Sequence, residues 1–127
     1  MNYGDFKKEL ASVLYGDTKI PSDDKILIPI VMRKLRSITY LCTPLALITT
    51  SPDFRIIRDL DNGFYLRESV LIKKDESKID LDSELIDALV FMVASSISIQ
   101  KSEIYTRLAR GVIADFNFKI YEASNGN

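Results

Sequence analysis

The chain has no histidine and a single cysteine, Cys42. Without histidine, mixed His/Cys zinc sites and Ser-His or Cys-His nucleophilic pairs are excluded. One cysteine rules out an intrachain disulfide. Beside Leu41 it reads as a small buried hydrophobe in a reducing cytoplasm rather than as a reactive thiol. Charge of one sign is also missing. Against 17 Lys and Arg stand 18 Asp and Glu, for a net charge of −1, so no global field draws the chain to nucleic acid or to a membrane surface. The longest apolar run without a charge, 88–100, falls short of the about 20 residues that a bilayer span needs. The N-terminus carries Asp5, Lys7, Lys8 and Glu9 where a secretory signal has an apolar core. The expectation is a soluble protein with no membrane partner and no cofactor or metal.

What is present is helical periodicity, broken once. At 127 residues, 46% of them apolar, the chain suits one domain. Asn2 caps a helix over 3–15, in which Phe6, Leu10, Val13 and Leu14 share a face and Gly16-Asp17 stops the run. Ser22-Asp23-Asp24 opens a second helix, 23–41, with Leu27, Val31, Leu35, Ile38 and Cys42 on one side. Pro29 lies inside it and predicts a kink. The period then changes. Leu45 to Ile48 is short and apolar, and 49–52 is loop. The runs 54–60 and 64–72 flank Asp61-Asn62-Gly63, and Asn-Gly between apolar runs predicts a β-hairpin. A charged connector follows at 73–80. Asp80 or Asp82 is the expected cap of the last helix, with Glu84 and Asp87 in its early turns. That helix persists to about Phe116. Unbroken, it has about 35 residues and spans about 50 Å; the sequence leaves open a bend near Ser102 or Gly111. Phe116, Phe118 and Ile120 then alternate as in a strand, and 123–127 is polar and reads as mobile. The fold class is mainly α: a small helical bundle with a long C-terminal helix and an inserted β-hairpin. The helical domain covers 1–115, with the hairpin at about 54–72, and 116–127 forms a C-terminal docking tail.

The run from Ala88 to Gln100 is apolar or small all the way round. A surface helix shows one apolar stripe, so this one needs cover on every side. Other copies of the chain supply it on one reading, with Leu89, Val93, Tyr105 and Arg107 at the subunit interface. A second reading places the run at the centre of a monomeric bundle. Phe116, Phe118, Ile120 and Tyr121 are the candidates for partner docking, because an alternating apolar terminus invites pairing with another chain. Lys25, Arg33, Lys34 and Arg36 form the one basic knot, a candidate contact for DNA or a partner, although the solvated face of an amphipathic helix is the simpler reading. Asp59 to Gly63 lacks the ligand spacing of a calcium loop. Asp80, Asp82, Glu84 and Asp87 suit helix capping better than acid–base chemistry. No constellation points to an enzyme.

The element order, with Thr43-Pro44-Leu45-Ala46-Leu47, Phe64-Tyr65-Leu66-Arg67 and Ile79-Asp80-Leu81-Asp82-Ser83-Glu84-Leu85-Ile86-Asp87-Ala88-Leu89-Val90, resembles the head-to-tail adaptor proteins of tailed bacteriophages, also called connector or head-completion proteins. The resemblance implies a structural virion protein in the neck between head and tail. Copies of it, commonly about twelve, close into a ring beneath the portal protein. The ring extends the channel, and genome DNA passes through without sequence-specific binding. Its partners are the portal protein, the next neck or tail protein, and itself. The family's C-terminal segments dock on the portal, a role that falls here to Phe116, Phe118, Ile120 and Tyr121. The alternative is a small helical nucleic-acid- or protein-binding regulator acting through the basic knot.

Overall fold

The computed structural model describes residues 1–125, with side chains to Ala123. Helix α1 is Tyr3–Val13, and the Asn2 side chain accepts the Asp5 N–H at 2.8 Å to cap it. Gly16, with φ of 79°, turns the chain away, as a left-handed position favours glycine. Helix α2 is Asp24–Leu41, capped by Asp23, whose carboxylate accepts the Lys25 N–H. Pro29 sits on its exposed side in the second turn, where it leaves the Lys25 carbonyl without its intrahelical donor but open to water. A 3-10 turn, Leu45–Leu47, leads into β1, Ile48–Thr49. Strand β2 is Ile56–Asp61 and β3 is Phe64–Arg67.

The predicted hairpin is present, and it is shorter and richer than expected. Asp61, Asn62 and Gly63 all have positive φ, so the Asn-Gly turn works as its residues suggest. A third strand joins, giving the antiparallel order β1-β3-β2, with Ile48 opposite Leu66 and Arg58 opposite Leu66 on the other side. Two register irregularities bend β2 along its free edge, a feature that discourages edge pairing. Leu47 and Leu66 are fully buried beneath the sheet.

The last helical segment is two helices. Helix α3 is Ile86–Ile97, helix α4 is Ser102–Asn125, and they pack against each other after a four-residue corner. The serines make that corner. Ser98 is extended, and its hydroxyl accepts the Lys101 N–H at 2.8 Å while donating to Asp17. The Ser102 hydroxyl donates to the Ser95 carbonyl at 2.8 Å, and Ser95 bonds Thr106 at 2.6 Å. Short polar side chains that bond nearby backbone compete with helix in this way. Residues 116–121 are also helical, which corrects the strand reading of the tail. Ser124 and Asn125 continue α4, and 126–127, the end of the segment read as mobile, lie outside the described residues.

Helix α3 is the centre of the bundle. Helices α1, α2 and α4 all pack on it, and Leu89, Val93, Ala88 and Ala94 are fully buried within one chain. The first half of the apolar run, 88–94, is therefore covered largely by the chain's own three helices, whereas Ile99, in the corner beyond α3, is 84% exposed. The charged connector is ordered too. The N–H groups of Tyr3 and Gly4 donate to the carbonyls of Ser77 and Asp75, and the Ile79 N–H donates to the Met1 carbonyl. The Tyr3 hydroxyl donates to Asp24 at 2.9 Å, and Lys7 pairs with Asp24 and Asp75. Burial, the hydrogen bond to Asp24 and the two nearby carboxylates push the Tyr3 hydroxyl pKa upward.

Candidate functional site

Helix α4 has two faces of unequal fate. Inward, Tyr105, Ala109, Ile113 and Phe116 are buried, a helical repeat that seats the helix on α3. The Tyr105 ring stacks on Phe91 with centroids 6.4 Å apart, and its hydroxyl donates to the Val13 carbonyl at 3.0 Å. Outward, Ile104, Leu108 and Phe118 stand 49%, 46% and 60% exposed. Their spacing of four and then ten residues puts them on one side, with Gly111 between them. A Cβ at Gly111 would meet open space. Tyr121 is exposed beside this row.

Four proposed contact residues are core instead. Leu89, Val93 and Tyr105 are buried inside a single chain, so of the expected subunit-interface set only Arg107 reaches the surface. Phe116 belongs to the main core cluster and Ile120 packs against it half-buried. Of the docking candidates, Phe118 and Tyr121 are exposed. The strand reading hid this split, because only helical spacing puts Phe116 and Phe118 on different faces. The same spacing would have singled out Ile104 and Leu108.

The basic knot is divided. Lys25 and Arg33 are exposed. Arg36 turns toward the sheet and pairs with Glu68, which Arg55 also approaches. Lys34 lies on the opposite flank of α2, where it lines a cleft of about 200 Å³ with Leu41, Met92, Ala109, Arg110 and Ile113. Helical spacing alone did not reveal that Lys34 and Arg110 share this cleft. Neither makes an ion pair among the described residues.

The acidic residues before α3 do structural work that differs from the expected capping. Both oxygens of Asp82 accept backbone N–H groups of the 3-10 turn, from Leu45 at 2.9 Å and Ala46 at 2.6 Å. Asp80 pairs with Arg67 and accepts the Val70 N–H at 2.9 Å. Burial opposes ionisation of Asp80. The hydrogen bonds from Arg67 and Val70, with the Arg67 and Lys78 charges, outweigh it and hold the carboxyl below its ordinary range. Neither aspartate caps the last helices; Glu84 and Asp87 remain exposed at the start of α3. Arg58 donates to the Thr39 carbonyl and the Thr43 hydroxyl at 2.6 Å each, fastening the sheet to the end of α2. Cys42 is buried against the Ile38 carbonyl, and burial, reinforced by the Asp82 charge, raises its thiol to about 11.

Among the described residues, no group of three or more His, Cys, Asp or Glu is placed to hold a metal ion, and no helix is long and apolar enough to cross a membrane. No protein-family model, curated protein or solved structure matches the chain. What the surface can do therefore rests on its own geometry: a bundle that seals its core alone, and a long helix with large apolar groups left outside.

Proposed function

We propose that this protein is a non-enzymatic structural subunit, a head-to-tail adaptor that assembles in the neck of a tailed phage virion. Copies form a ring beneath the portal protein, genome DNA passes through without sequence-specific binding, and the next neck or tail protein docks below. The supporting observation is the outward row Ile104, Leu108 and Phe118 on a 24-residue helix whose inner face is already satisfied. Large apolar side chains aligned outside a sealed core mark a contact surface rather than a folding element. The portal protein is the proposed occupant of this row, in keeping with the resemblance noted in the sequence.

The rival reading, a regulator that binds nucleic acid or protein through Lys25, Arg33, Lys34 and Arg36, has less support. Arg33 and Arg36 line one cleft, but Lys34 lies on the opposite flank of α2, and Arg36 is engaged by Glu68. Mixing the purified chain with the portal protein of the same virion and imaging the product tests the proposal. The chain is expected to add a ring to the portal. Leu108→Asp with Phe118→Asp should keep the circular dichroism and melting profile of the parent and weaken portal binding by about 100-fold. An unaltered affinity in that variant, or a full-length chain that never binds the portal, would end the adaptor reading.

A further inference from the structure

The molecule carries a knob and a hole of complementary chemistry. The knob is the hairpin tip. Asp59 and Asp61 are exposed there, and neither makes an ion pair among the described residues. Phe64, next to the turn, is 47% exposed. The Asp59 carboxylate accepts the Asp61 N–H at 2.8 Å, which stiffens the turn. The hole is the cleft between α2, α3 and α4. Its walls are Leu41, Met92 and Ile113, and its cations are Lys34 and Arg110. The Ser95 and Thr106 hydroxyls inside it already bond each other, so the cleft asks for an apolar group and an anion rather than a neutral polar ligand. Its volume is about 200 Å³. A cavity of about 150 Å³ takes a benzene ring, so the cleft suits one aromatic side chain and is small for a cofactor.

We infer that the hairpin tip of one copy enters the α2–α4 cleft of the next, with Phe64 in the apolar part and Asp59 and Asp61 facing Lys34 and Arg110. The knob and the hole are different surfaces of the same chain. The contact is therefore heterologous, and repeating it yields a ring or a filament instead of a closed dimer. The charges set register and suppress wrong partners. This contact rests on the self-assembly in the adaptor proposal and names the residues that would carry it.

The test uses the full chain with p-benzoylphenylalanine in place of Phe64, irradiated alone and on the portal. The expected product is a ladder of linked species, with the links mapped to 34–41 and 109–113. A second arm reads assembly by sedimentation and by electron microscopy. Asp59→Lys with Asp61→Asn should weaken self-association by about tenfold or more, as should Lys34→Glu with Arg110→Glu, and all four together should restore it. Asparagine is chosen at position 61 because it tolerates the left-handed turn. Rings that form with links elsewhere, or that ignore the charge changes, overturn this contact and leave the adaptor reading standing. Portal binding that depends on Lys34 and Arg110 without any link between copies overturns it as well, and assigns the cleft to the portal. Failure to bind the portal at all counts against the adaptor reading, whatever the links show.

Discussion

Arg67 and Asp80 carry much of the join between sheet and bundle. Their side chains are only 15% and 18% exposed. The Arg67 fork also reaches the Ala46 and Glu68 carbonyls, both at 3.1 Å, and its guanidinium lies 5.3 Å from the Phe54 ring centroid. Removing the carboxylate leaves a half-buried guanidinium short of an acceptor charge, so Asp80→Asn should cost about 1.5–3 kcal/mol at neutral pH. The pH dependence has a definite sign. The folded-state pKa of Asp80 lies below that of the unfolded chain, so its contribution is fully present above the unfolded value of about 3.9. It is lost as the pH falls from there through the depressed folded value. Urea unfolding of parent and variant across that acid range should therefore converge, with the variant showing the flatter slope. A constant gap between the two down to the lowest pH would show that Asp80 acts through packing alone.

The helices differ in how openly their residues declare them. Helices α1 and α2 were legible because their caps, Asn2 and Asp23, stand directly before a one-sided apolar repeat. The hairpin was legible because Asn62-Gly63 needs positive φ. Strand β1 was not, since two residues carry no period. The α3–α4 corner was half-legible: Ser95, Ser96, Ser98 and Ser102 crowd the break, yet Val93, Ile97, Ile104 and Leu108 keep helical spacing across it. The tail was misread because Phe116, Phe118 and Ile120 fit a period of two over so short a stretch, and only contact with α3 and α2 settles them as helix. Asn117 illustrates this, donating to the Leu41 carbonyl at the end of α2 at 3.2 Å. Of the candidate site, Phe118 and Tyr121 were legible only as part of a set that also held Phe116 and Ile120, because a strand period gives all four one role, while the meeting of Lys34 with Arg110 depends on tertiary packing. Helix α4 also offers a clean propensity test. Gly111 is helical, exposed, and has nothing within 4 Å of an added Cβ. Gly111→Ala should therefore stabilise the free chain by about 0.5–1 kcal/mol. Chemical denaturation would check it, and a loss of stability would mean that the backbone at Gly111 departs from helix in solution.

At the scale of the molecule, the decisive fact is where α3 lies. A chain of this length can enclose one central helix if every neighbour supplies an apolar face. Here α1 gives Phe6 and Leu10, α2 gives Val31 and Leu35, and α4 gives Tyr105 and Ile113. On the proposed adaptor reading, assembly is then something a finished fold does, through outward groups such as Leu108 and Phe118, and folding does not wait for it. At dilutions where sedimentation shows single copies, the chain should unfold in one cooperative transition whose midpoint does not move with further dilution, because linkage to an oligomer would shift it. Leu89→Ala should cost about 2–5 kcal/mol, the range for opening a cavity in a well-packed core, by the same amount in dilute and concentrated solution. Leu108→Asp, on the outer face of α4, should leave the midpoint nearly unchanged. If the midpoint rose with concentration and the cost of Leu89→Ala rose with it, α3 would be completed by neighbouring copies, and the burial seen within one chain would not describe the free protein.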